Sequence, residues 1–420
     1  MNLNSVGFKN GSITLDGPRG IYYSGQVVSG KIEFELNQPL TFSAINVVYH
    51  GGASVLWTEP QTEMYSGVKR YTQVEYKAYE EYFNTVQCVC GGDGTSVLHQ
   101  GSHSIPFEFQ IPFTVPSSFS SPLGNVTYKV SAYLEAPPIR EELERTFEVV
   151  APLDLNKDES GDAQQPIEMQ FEEIYSCCCS TQPISIGVKL PVSGYCPGQP
   201  IPITIDAQNN SSTEISKIIF QLIMKERYHS RNPVSEYTPP EKLLATMKKG
   251  PIMSNTKRVY TFEMPVPEMI APHLDNCGII DLGFFFKVII KLSGCNDDME
   301  DESEIYIGLI PLEITTRGNR YVHPLSHSLP DDPIPDPNSA PNFTSLPPYM
   351  SGGMGTEHKS SATNLLNASN STPYGSKSNM STSTVHSINA RTSPHSPYLM
   401  PSAPYLVQEK PKSYEIGFKI

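Results

Sequence analysis

Apolar and polar residues alternate with a period of two through most of the chain before residue 316, which predicts strands with one buried and one solvated face. Ile32, Phe34 and Leu36 alternate with Lys31, Glu33 and Glu35. The same pattern puts Ile45 and Val47 on one side of a second segment and Tyr128, Val130, Ala132 and Leu134 on one side of a third. A fourth carries Ile218, Phe220, Leu222 and Met224 in the same way. These runs have strand length and are bounded by Gly, Pro, Asn and Ser, with no helical period between them. That predicts β-sandwiches rather than βαβ units.

The pattern also repeats. The segment from Ile13, ITLDGPRGIYYSGQVVSGKIEFEL, has a counterpart from Ile186, IGVKLPVSGYCPGQPIPITIDA, in which Gly25-Gln26 matches Gly198-Gln199. Each match leads into an alternating strand and a polar turn (Asn37-Gln38-Pro39 and Asn209-Asn210-Ser211), then a further strand. Later, Ile105 to Phe119 is echoed by Tyr260 to Leu274, strand residues running into a proline-punctuated connection. A gapped repeat of this length implies two copies of one domain and not a solenoid. An acidic, Pro-flanked run from Leu153 to Pro166 falls between the copies. From about Tyr321 Pro, Ser, Asn and Thr dominate and periodicity is lost, so this stretch is expected to be disordered for want of apolar surface to bury. The expected organisation is all-β: a sandwich over 1–152, a linker over 153–180, a second sandwich over 181–318 and a disordered Pro/Ser-rich tail over 319–420.

Composition changes this picture little. The 38 Pro, 29 Gly and 22 Tyr against one Trp suit short strands and turns. A net charge of −14 argues against a nucleic-acid partner, since neutralising phosphates needs an excess of Lys and Arg. The N-terminal residues lack the apolar core of a secretory signal, and the most apolar stretch, Gly278 to Leu292, is short and interrupted by charge. The Asn-x-Ser/Thr sequences at Asn125, Asn210, Asn342 and Asn370 therefore read as ordinary polar loops. Eight scattered cysteines fit reduced thiols of a cytosolic protein.

Neither an enzyme nor a cofactor is expected. The chain has no G-x-S-x-G, P-loop, H-E-x-x-H or dinucleotide fingerprint. No metal is expected either, because Cys88-x-Cys90 with His99 and His103 lacks the C-x₂-C spacing of structural zinc sites. The densest acidic run, Asn296 to Glu304, lacks the spaced ligands and central Gly of a calcium loop and reads as a solvated hairpin loop. Lys225, Arg227, Arg231, Lys248, Lys249, Lys257 and Arg258 read as a wet strand face unless they converge into a basic patch.

Several ordered motifs carry a family resemblance. The run from Gly101 to Phe119, with its P-F-x-F-x-I-P and P-S-S-F elements, the strand GNVTYKV from Gly124 and PLDLN from Pro152 together resemble an N-terminal arrestin domain. The segment YCPGQPIPI from Tyr195 and IPLEITT from Ile310 resemble a C-terminal one. The long Pro/Ser-rich tail is similar to that of the α-arrestins, the arrestin domain-containing proteins. The resemblance implies two arrestin-like sandwiches and a cytoplasmic adaptor recruited to the plasma membrane and endosomes. Its partners would be transmembrane cargo proteins and a HECT-type ubiquitin ligase bound through WW domains, with peripheral contact to the membrane.

Two tail motifs fit that role. Leu346-Pro347-Pro348-Tyr349 is an L-P-x-Y sequence, a variant of the P-P-x-Y ligand in which a preformed polyproline turn packs on an aromatic groove. No strict P-P-x-Y occurs. Pro401-Ser402-Ala403-Pro404 resembles the P-(S/T)-A-P ligand of an endosomal sorting complex subunit. The run Cys177-Cys178-Cys179 has the chemistry of an S-acylation site. Alternation would bury at least one of the three, however, and no basic or apolar anchor adjoins them, so packing is preferred and acylation stands as the alternative. A retromer-like trafficking scaffold, which would not recruit a ligase, is the runner-up function.

Overall fold

The computed structural model describes residues 7–338 apart from 9, 18, 66, 138, 158–160, 178–179, 295–296, 317 and 319. Nineteen strands are seen among them. The first half holds β1 (Ser12–Leu15), β2 (Ile21–Tyr23), β3 (Val27–Leu36), β4 (Leu40–Tyr65), β5 (Val68–Leu98), β6 (Gly101–Gln110), β7 (Phe119–Ser120), β8 (Gly124–Ala136) and β9 (Ile139–Val150). The second holds β10 (Ile167–Cys177), β11 (Ser180–Leu190), β12 (Gly194–Tyr195), β13 (Pro200–Asn209), β14 (Ile215–Arg231), β15 (Val234–Tyr237), β16 (Lys242–Lys249), β17 (Thr256–Pro265), β18 (Ile280–Leu292) and β19 (Met299–Ile307).

Each half is a sandwich. In the first, a sheet ordered β1-β3-β6 faces one ordered β2-β9-β8-β4-β5, with β7 added on β8. In the second, β10-β11-β13-β17 faces β12-β19-β18-β14-β15, with β16 added on β14. The alternation places the core as expected. Ile32, Phe34 and Leu36 are buried while Lys31, Glu33 and Glu35 are exposed, and Tyr128, Val130, Ala132 and Leu134 all point inward. The apolar stretch Gly278 to Leu292 is largely β18, whose even-numbered residues from Phe284 to Leu292 are buried beside β14.

The sequence repeat is a repeat of topology. β2 and β12 each pair in parallel with the last strand of their own half, β9 and β19. Both then enter the same turn. Gly25 has φ +82° and Gly198 φ +80°, the positive φ that a type II turn asks of its third residue. Gln26 N–H donates to the Tyr23 carbonyl (3.1 Å) and Gln199 N–H to the Cys196 carbonyl (3.0 Å). Each Gln side chain closes the turn from the other side, its Oε1 accepting from Tyr23 N–H (2.7 Å) or Cys196 N–H (2.8 Å). A Cβ on Gly25 would lie 2.2 Å from the Phe113 ring. Gly25→Ala is therefore expected to cost about 2 kcal/mol, from the backbone and the clash together, read as a lower urea midpoint at unchanged slope.

Two expectations need correcting. The acidic run is not a hairpin loop beyond Asp298: Met299 to Glu304 belong to β19 and pair with Ile290 to Phe285 of β18. The reason is electrostatic as well as geometric. Lys225 pairs with Glu302, Lys287 with Glu300 (3.6 Å) and Lys291 with Asp298, so the acids face a row of cations on the neighbouring strands. Nor does packing end at 318. Residues 320–338 run over both sandwiches, with Leu329 buried. These residues use isolated apolar anchors between prolines, which leave no periodic signal.

Candidate interaction surfaces

β14 is longer than its own sandwich needs. Ile218, Phe220 and Leu222 fill the second core, Met224 is half-buried, and the inward series then continues with Glu226 and Tyr228. Tyr228 is fully buried, and with Leu274, Cys277, Ile279 and Ile280 it joins the hydrophobic core of the first sandwich. The two halves therefore share apolar packing. Tyr228 Oη donates to Glu226 Oε2 (2.6 Å) and lies 2.6 Å from Ser121 Oγ of the first half. Burial and then Glu226 raise the phenol's pKa, which keeps it a neutral donor. Glu226 itself is buried and takes an ion pair from Lys242, whose side chain is half exposed.

Polar contacts ring this junction. The two proline-punctuated connections that echo each other in sequence meet, Ser117 N–H donating to the His273 carbonyl (2.9 Å) and His273 N–H to Ser117 Oγ (3.1 Å). The β4–β5 hairpin reaches across as well. Lys77 and Asn232 exchange backbone hydrogen bonds at 3.2 and 3.1 Å. Glu80 accepts from Arg231 Nη2 (2.8 Å) and from Gly278 N–H (3.0 Å). None of this was visible as a motif, because Glu80 and Arg231 are 151 residues apart and look like ordinary surface charges.

The residues singled out in the sequence are placed unevenly. Leu346, Pro347, Pro348 and Tyr349, and Pro401, Ser402, Ala403 and Pro404, lie outside the described residues, as do Cys178 and Cys179; Cys177 ends β10. Four of the basic residues are engaged by neighbouring side chains. Lys225 is paired with Glu302 and Arg231 with Glu80, while Lys249 and Arg258 sit over the stacked rings of Phe262 (4.6 Å) and Tyr260 (5.2 Å). His103 is turned to the His99 carbonyl (2.8 Å) and stacks on Phe34. Among the described residues no group of three or more His, Cys, Asp or Glu is arranged to hold a metal ion. No helix among them is long and apolar enough to cross a membrane.

Comparison with known proteins agrees with this architecture. Residues 11–156 match the family model for the arrestin (or S-antigen) N-terminal domain, and residues 180–312 match the one for the C-terminal domain. Human arrestin domain-containing protein 4 is 25% identical over 362 residues, covering 81% of this chain and 84% of that protein. Its mouse counterpart is 26% identical over 345 residues, covering 79% of this chain and 80% of its own. Human arrestin domain-containing protein 1 is 23% identical over 282 residues, covering 66% of this chain and 60% of its own.

Proposed function

This chain belongs to the α-arrestins, the arrestin domain-containing proteins, and from that premise we propose that it is a binding adaptor and not a catalyst. The paired sandwiches engage the cytosolic segment of a transmembrane cargo protein, with peripheral contact to the membrane. Leu346, Pro347, Pro348 and Tyr349 recruit the WW domain of a HECT ubiquitin ligase, which leads to cargo ubiquitination and endocytosis. Pro401, Ser402, Ala403 and Pro404 connect the complex to an endosomal sorting subunit. Its place of work is the cytoplasm, with recruitment to plasma membrane and endosomes.

The observation that carries this reading is the presence, on one chain, of two joined arrestin sandwiches and an L-P-x-Y sequence. The joined sandwiches supply a broad rigid surface for cargo, and the L-P-x-Y supplies a ligand that is bound with little ordering cost. The test is titration of the full chain into isolated WW domains of HECT ligases. Micromolar affinity, about −8 kcal/mol, is expected. Tyr349→Ala should weaken it about thirtyfold, or ~2 kcal/mol, by emptying the pocket the ring fills. Equal binding of both chains, or of neither, would remove ligase recruitment and leave the retromer-like scaffold as the better account.

A further inference from the structure

Residues 320–338 touch both copies of the repeated turn. At the second copy, Tyr321 Oη donates to the Pro197 carbonyl (2.8 Å), and Pro324 covers Gly198 so closely that a Cβ there would meet it at 2.6 Å. At the first copy, Gln26 Nε2 donates to Asp332 Oδ2 (2.7 Å), and Arg19 Nη2 donates to the Leu329 carbonyl (2.5 Å) and to Asp331 Oδ1 (2.6 Å). Between these points Leu329 is buried against Tyr23 and Val150, with Ile334 packed on the same cluster. The segment thus spans the junction of the two sandwiches and is held at each end.

One group inside this span is built for a single protonation state. His323 is 7% exposed, and its Nδ1 accepts a hydrogen bond from Leu325 N–H (3.1 Å). An accepting Nδ1 must carry the lone pair, so the ring is neutral with its proton on Nε2. We propose that residues 320–338 form a strap across the domain junction and that His323 is its proton-operated latch. A proton arriving at Nδ1 sets two N–H groups against each other where the turn Ser326–Ser328 begins, and the buried charge has no counter-ion there to offset it.

The surroundings favour the neutral ring. Tyr321 meets it edge-on at 6.3 Å, and the Cys196 thiol acts on Tyr321 from the neighbouring turn. Burial raises the pKa of both, Cys196 to about 12, so neither supplies a charge near neutrality. Burial is also the larger influence on His323 and lowers its pKa; the Met269 carbonyl opposes it, and no acidic side chain acts on the ring among the described residues. The sign follows. A ring whose pKa is lowered on docking leaves docking at full strength above the free imidazole's pKa of about 6.5. Docking then weakens as pH falls below that value, until the docked ring itself takes the proton.

Hydrogen exchange of the full chain, with rates corrected for the intrinsic effect of pH, tests the latch. Between pH 7.5 and 5.5 the free ring's titration weakens docking by up to about tenfold, so backbone protection across Val322 to Leu329 should fall. His323→Asn, whose amide oxygen still accepts from Leu325 N–H but does not titrate, should show no such fall. Unchanged protection in the natural chain, or the same loss in the Asn variant, overturns the proposal. A second measurement stands apart from that variant. Arg19→Ala loosens the far end of the strap, and by linkage the His323 pKa followed by NMR must then rise toward 6.5. A pKa indifferent to Arg19→Ala also overturns it.

Discussion

Tyr228→Ala is expected to destabilise the folded chain by about 4 kcal/mol, the range for removing a large buried aromatic side chain. The side chain comes from a strand of the second sandwich yet is fully buried within the core of the first, so its loss opens a cavity where the two halves meet. Its hydroxyl adds to the cost by leaving Glu226 and Ser121 short of a partner. Tyr228→Phe keeps the ring and should lose only about 1–2 kcal/mol. Denaturant unfolding separates these outcomes. A cost under about 1 kcal/mol for the alanine change would mean that the halves do not share this core and are stable independently.

Lys242→Met is the second large effect, expected at about 3 kcal/mol. Glu226 is all but inaccessible to water, with a side-chain exposure of 3%, and Lys242 is the cation paired with it. Removing the cation leaves a carboxylate that can neither hydrate nor find a second counter-charge, and that penalty exceeds what the half-exposed pair contributes when intact. The logic has a direct check. Combining Lys242→Met with Glu226→Gln should recover most of the loss, because the amide carries no charge and still accepts from Tyr228 Oη. A double change as harmful as the single one would show that Lys242 acts through packing instead.

Much of the fold was legible because each strand exposes one face to water, and a period of two survives in the residues that do so. Lys31 to Leu36 read correctly for that reason. The repeat was legible for another: Gly25 and Gly198 must both adopt positive φ, and the glutamine that follows each closes the same turn, so two residue types at fixed spacing mark one local geometry. The acidic run misled because composition alone cannot show that Glu300, Glu302 and Asp298 would find Lys287, Lys225 and Lys291 opposite them. Residues 320–338 misled in the other direction. Leu329 and Ile334, spaced among prolines, look like a chain with nothing to bury until Tyr23 and Val150 are seen to receive them.

Local rules therefore determined the strands and the two-domain repeat, since each depends on residues near one another in the chain. The arrangement of those domains was decided only in three dimensions. Tyr228 reaching Ser121, Glu80 reaching Arg231 and Arg19 reaching Asp331 join residues 107, 151 and 312 positions apart. At such separations sequence carries no periodic trace of a contact. Desolvation and shape select these partners, and both exist only once the two sandwiches have packed.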